Sequence, residues 1–161
     1  MAATLVLSPA ACARADTEAG IEPSHPAPSQ PEAQPAAQDA AQELEWAPYE
    51  TAELDRALSS GNPTVLTFGA EWCAPCKELK ARTFNSPQVV AAAQGFNLLY
   101  VDMTEGDRYT KLAQKSFKVR GAPITIFFGT TGAEFTRRAG FIPPDVFERA
   151  LLDSAAWPGG S

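Results

Sequence analysis

Histidine is nearly absent from this chain of 161 residues, and the absence removes several chemistries at once. The one histidine, His25, lies in a proline-rich stretch. A cysteine hydrolase therefore has no folded imidazole to serve as its base. Cysteine is scarce as well, with three in the whole chain. A structural zinc site needs four Cys or His ligands. Beyond Cys73 and Cys76 only Cys12 and His25 remain, both far upstream. No metal and no cofactor is expected. Three cysteines are also too few for a disulfide scaffold, and no apolar run reaches the roughly 18 residues that span a bilayer.

Cations are missing from residues 16–50. Asp16, Glu18, Glu22, Glu32, Asp39, Glu43, Glu45 and Glu50 have no Lys or Arg among them. The net charge of −6 thus belongs to a leader, because from residue 51 onward 11 acids meet 12 cations. A nearly neutral domain without a basic stripe attracts no nucleic acid, and none is expected as a partner. The length suffices for one domain with a real core.

Residues 1–15 read as an export signal. Ala2 to Ala11 is mostly apolar, and Ala13-Arg14-Ala15 offers the small-x-small pattern of a cleavage site, although a basic start is missing. A second reading makes Cys12 the acylated residue of a lipoprotein signal, against which stands Pro9 where such signals usually carry Leu. Residues 16–47, rich in Ala, Pro, Gln and Glu, are expected to be a disordered linker, because they bury too little apolar surface to offset ordering entropy. Stretched, such a tether reaches on the order of 100 Å. The periplasm, or another exported location, follows as the expectation, with membrane tethering through the N-terminal segment as a second reading.

A folded domain is expected over 48–155. Thr51 reads as the cap of a helix over 52–59, and Thr64–Phe68 as a buried β-branched strand. Lys77–Gln94 reads as one helix kinked at Pro87. Phe96–Asp102 and Ile124–Phe128 read as core strands, with a short helix over 109–117 between them. Gly129-Thr130-Thr131-Gly132 is a hairpin turn into a strand over 134–139, and Pro144 opens a last helix through Leu152. Alternating strands and helices followed by a hairpin indicate an α/β fold with a mixed central sheet flanked by helices.

Against this sparse background stands Glu71-Trp72-Cys73-Ala74-Pro75-Cys76-Lys77. Two thiols with two residues between them close almost no loop, so they make a poor staple. They are well spaced for exchange, in which one attacks a partner's disulfide and the other cuts the mixed disulfide apart. At a strand-to-helix turn the helix N-terminus favours the thiolate of the first. Cys73 is expected as the exposed nucleophile, and Cys76, one turn inside, as the shielded resolving thiol. Pro75 limits the turn's freedom and so affects the redox balance; known pairs span about −270 to −120 mV. Ala122-Pro123 before the apolar run 124–128 is acceptable as a strand start. A cis bond there would shape the backbone for a partner chain.

Together these residues resemble the thioredoxin superfamily over roughly Tyr49 to Leu152, with a thioredoxin-like fold. Within it the chain is similar to the periplasmic C-terminal domain of the disulfide interchange protein DsbD. Cys76-Lys77-Glu78, Thr83-Phe84-Asn85-Ser86-Pro87-Gln88-Val89 and Gly140-Phe141 carry that likeness. The resemblance implies dithiol–disulfide exchange by Cys73 and Cys76, beside a cis Pro123. It implies a substrate segment contacting Trp72, Ala122 and Pro123, with the Ala122 backbone pairing to it as an added strand. It implies protein disulfides as substrates, a separate membrane protein as electron donor, and a monomer. Two departures stand out. Thr67 occupies a position where many relatives have a buried acid, and Lys80 one where the DsbD-like group has another. Fewer carboxylates and one more ammonium favour the thiolate.

The expected activity is that of a protein-disulfide reductase. Two alternatives stand beside it: a thiol reductase for cytochrome c maturation, and a non-catalytic peptide-binding adaptor. An insertion usual in the former has little room between Asp102 and Ala122, and a pure binder has no need of both thiols.

Overall fold

A computed structural model of the protein describes residues 43–159, so the expected export signal and most of the linker lie outside the described residues. The described residues build five strands and five α-helices: β1 (Ala47–Pro48), α1 (Thr51–Ser59), β2 (Thr64–Gly69), α2 (Ala74–Glu78), α3 (Pro87–Ala92), β3 (Asn97–Asp102), α4 (Arg108–Ser116), β4 (Ile124–Phe128), β5 (Glu134–Ala139) and α5 (Pro144–Ala156). The strands lie in the order β1-β3-β2-β4-β5. β1 and β2 run parallel to β3, whereas β4 is antiparallel to both β2 and β5, so the sheet is mixed as expected.

β2 is buried along its whole length, which its unbroken Thr-Val-Leu-Thr-Phe run requires of a central strand. Its side chains alternate between two cores. Leu66 and Phe68 join Leu99, Val101, Ile126 and Phe128 under α1 and α4. Val65 joins Leu98 and Phe127 under α3 and α5, where Phe147 sits 5.2 Å from Phe127 and 5.6 Å from Phe84, centroid to centroid. Each fully buried Leu or Phe contributes roughly 1.5–3 kcal/mol through area removed from water.

Four elements differ from the sequence expectation. Thr51 is the first helical residue rather than the cap; the extended residue before it is Glu50, whose side chain makes no capping bond. The helix after the cysteines is not one kinked rod. α2 passes into a π-helical segment over Leu79–Phe84, Asn85 breaks it, and Pro87 opens α3. Proline's missing N–H costs nothing in a helix's first turn, and it pushes the preceding Ser86 into extended backbone. α5 runs on to Ala156. The composition ends the linker at 47, yet Leu44 and Trp46 pack against the second core and Ala47–Pro48 pair with β3. Trp46 stacks 4.6 Å from Phe84, and that contact draws the chain onto the domain before residue 48. By contrast the α4 start is conventional: the Asp107 carboxylate accepts the Thr110 N–H at 2.7 Å, which holds its pKa below the usual range.

Candidate active site

β2 delivers the chain at Gly69, at the end of the sheet where parallel strands leave a crevice for chemistry. The Met103 N–H donates to the Gly69 carbonyl at 2.7 Å, tying this exit to the end of β3. Glycine is needed here because a methyl group would lie 2.0 Å from the Tyr100 hydroxyl. That hydroxyl is buried without a hydrogen-bond partner. Burial first, and the charges of Asp102 and Glu71 next, push its pKa up to about 12.

The Cys73 N–H then donates to the Ala70 carbonyl at 3.2 Å, turning the chain into α2. Cys73 is the N-cap, with extended backbone, and its Sγ accepts the Cys76 N–H at 3.2 Å. Pro75 sits in the first helical turn, where its missing N–H is no loss. Cys73 and Cys76 are joined by a disulfide with their Cα atoms 5.2 Å apart. A helix-terminal N–H aimed at sulfur stabilises negative charge there, so the geometry favours the Cys73 thiolate once the bond opens.

One expectation fails in this state. Cys73 is not open to solvent: it is 5% exposed, against 3% for Cys76. Both side chains belong to the core cluster of Phe68, Ala70 and Met103. In the disulfide the two sulfurs are bonded to each other within that cluster. The exposed part of the motif is its frame, since Trp72 is 64% exposed and Ala74 and Pro75 also face outward.

The peptide bond Ala122-Pro123 is cis. Pro123 is buried and Ala122 half-buried. Ala122 and Ile124 pack against the cluster that holds both cysteines, and Ile124 opens β4 opposite Phe68. The Pro123 carbonyl accepts the N–H of Gly140, whose φ of +82° suits glycine. The fold thus brings Trp72, Cys73, Cys76, Ala122 and Pro123 to one end of the sheet.

Both departures named from the sequence have a structural filling. Thr67 is buried, its hydroxyl 3.2 Å from that of Thr125, so a neutral pair fills the place. Lys80 lies 3.8 Å from Glu71 and 4.6 Å over the Tyr100 ring, where its charge is partly matched.

The sequence reading missed the residues that hold the loop. Asp102 accepts the Thr104 N–H at 2.9 Å and its hydroxyl too, and the Thr104 Oγ1 accepts the Glu71 N–H at 3.0 Å. The only signal for this was Asp102-x-Thr104 at a strand end, a common turn pattern. Among the described residues no cluster of three or more metal-ligating side chains is present.

Residues 51–155 match the family model for a thioredoxin-like domain. The chain belongs to the thioredoxin-like family. Its similarity extends to the thiol:disulfide interchange protein DsbD of Klebsiella pneumoniae, 39% identical over 106 residues. That match covers 63% of this chain and 18% of the relative. The Escherichia coli K12 protein of the same name is 35% identical over 105 residues, covering 63% and 19%. The chain thus spans under a fifth of the length of these relatives. Among solved structures, the oxidised C-terminal domain of Neisseria meningitidis DsbD is similar, with a TM-score of 0.56 and 27% identity. There 69% of this chain covers 99% of that domain. This thioredoxin-like domain therefore carries a paired Cys73 and Cys76 in a fold shared with DsbD's C-terminal domain, which supports thiol–disulfide exchange.

Proposed function

We propose that this thioredoxin-like protein reduces disulfides of exported proteins. The observation that carries the reading is the Cys73–Cys76 disulfide at a helix start, with the Cys76 N–H on the Cys73 sulfur. In the reduced protein the Cys73 thiolate attacks one sulfur of a partner's disulfide. A mixed disulfide forms, and the partner's other sulfur leaves as a thiolate and takes up a proton. Cys76 then loses its proton and attacks the Cys73 sulfur, releasing the partner's second thiol and closing the disulfide seen in the structure. Two electrons and two protons pass to the partner.

Trp72, Ala122 and Pro123 are the proposed substrate contacts. The exposed Trp72 offers an aromatic landing surface beside a sulfur with little exposure of its own. Ala122, half-buried just before β4, is the proposed backbone contact for an extended segment. The proposed electron donor is a separate membrane protein, the proposed location the periplasm, and the proposed state a monomer. Among the described residues no helix is long and apolar enough to cross a membrane. Between Asp102 and Ala122 the chain forms only a turn, α4 and a return loop, which favours general reduction over a cytochrome c maturation role.

Insulin reduction with dithiothreitol tests the activity: the wild type accelerates precipitation, and Cys73→Ser does not. Equal rates for the two would leave a peptide-binding adaptor as the better account. Cys76→Ser tests the order of attack, since it should accumulate mixed disulfides through Cys73.

A further inference from the structure

Thr104 stands 33 residues from Glu71 in sequence, yet its side chain is the acceptor for the Glu71 N–H, two residues before Cys73. A threonine hydroxyl that accepts this N–H must send its own proton elsewhere, and the Asp102 carboxylate receives it. Asp102 also accepts the Thr104 N–H at 2.9 Å, so the hydroxyl is held in one orientation with a lone pair facing the loop. The Met103 N–H on Gly69 fixes the same stretch from the other side at 2.7 Å.

Between these two braces and Cys73 lies a single further bond, Cys73 N–H to Ala70 O. The turn that leads into Cys73, and into its 3.2 Å contact from the Cys76 N–H, is thus anchored to the end of β3. Lys80 reaches the Glu71 carboxylate at 3.8 Å, an exposed pair that adds little hold. We propose that Thr104, oriented by Asp102, is a positioning residue that holds the Glu71–Cys73 turn so that the Cys76 N–H faces the Cys73 sulfur. The proposal deepens the reading of Cys73 as nucleophile and rests on it.

Thr104→Val keeps the shape of the side chain and removes the acceptor, whereas Thr104→Ser keeps the acceptor. The readout is the pH dependence of Cys73 alkylation by iodoacetamide in the reduced protein, with circular dichroism as a check on folding. The expected result is an upward shift of the Thr104→Val midpoint, equal to about a threefold loss of thiolate at pH 7. Thr104→Ser should titrate as the wild type does. Exchange of the Glu71 amide, followed by NMR, should rise at least tenfold in Thr104→Val. A wild-type midpoint in Thr104→Val, or a shift in both variants alike, overturns the proposal. Should Thr104→Val fail to fold, the wild-type Glu71 amide decides: exchange as fast as in an unstructured peptide also overturns it. None of these readouts involves a disulfide substrate, so a failed insulin assay counts against the reductase reading and leaves this test intact.

Discussion

The Cys76 backbone N–H points at the Cys73 sulfur across 3.2 Å, so the residue that closes the disulfide also supplies the donor that stabilises its opening. In the reduced protein Cys73 should therefore titrate below the ~8.5 of an unperturbed cysteine. A thiolate held below its unfolded midpoint stabilises the reduced fold fully above pH ~8.5, and that contribution is lost as pH falls through the folded midpoint. Thiolate absorbance at 240 nm against pH measures it. A midpoint above 8.5 would contradict the role given to this contact.

Trp72 should matter for protein substrates and little for small ones. Trp72→Ala is expected to lower kcat/KM for insulin about tenfold, mostly through KM, because an exposed aromatic of this kind is worth about 1–2 kcal/mol at an interface. Reduction of a small aromatic disulfide reagent should change less than twofold. Equal losses on both would move Trp72 from substrate contact to support of the loop.

Gly69 and Tyr100 are expected to behave as a coupled pair. Gly69→Ala forces a methyl group against the Tyr100 ring and hydroxyl and should cost about 1–3 kcal/mol. In a Tyr100→Ala background the same change should cost much less, since the clashing atoms are gone. Urea denaturation of the four proteins gives the coupling. An unchanged penalty would show that the strain lies elsewhere.

Tyr100 also predicts an alkaline effect. Its pKa is raised from 10 to about 12 by burial and by Asp102 and Glu71. A folded pKa above the unfolded one gives stability that is present below pH 10 and lost as pH rises toward 12. Tyr100→Phe should gain on the wild type over that window by on the order of 1 kcal/mol, after discount for partial solvent screening. At pH 7 it should cost little, because the hydroxyl has no partner to lose. Chemical denaturation at pH 7, 9 and 11 tests this, and a wild-type-to-variant difference that stays flat would refute it.

Much of this architecture is legible in the chain because it is local. Strands β2 and β4 are apolar and β-branched, β3 has an apolar centre, the Gly129–Gly132 turn joins β4 to β5, and Pro144 opens α5. The redox pair is legible for the same reason, since two cysteines three positions apart on a helix start meet without help from distant residues. The cis bond at Pro123 was foreseen from family likeness, not from its own dipeptide.

Other features have no local signal. A two-residue strand containing a proline, β1, exists because the edge of β3 offers it partners and Phe84 offers Trp46 a surface. The π-helical turn over Leu79–Phe84 places Leu79, Thr83 and Phe84 in the core, which composition alone does not reveal. The expected exposure of Cys73 was wrong for the disulfide form, because burial depends on what Phe68, Ala70 and Met103 bring around it.

By itself the sequence determined the chemistry: a thiol pair at a spacing suited to exchange, with a single histidine, His25, far upstream of it. Tertiary structure alone decided how that pair is aimed. The turn that leads into it is held by Thr104 and Asp102, which come to the loop only when β3 lies beside β2. Spacing along a chain sets which reactions are available, whereas hydrogen-bond direction, which tunes a sulfur, is fixed only once distant strands have paired.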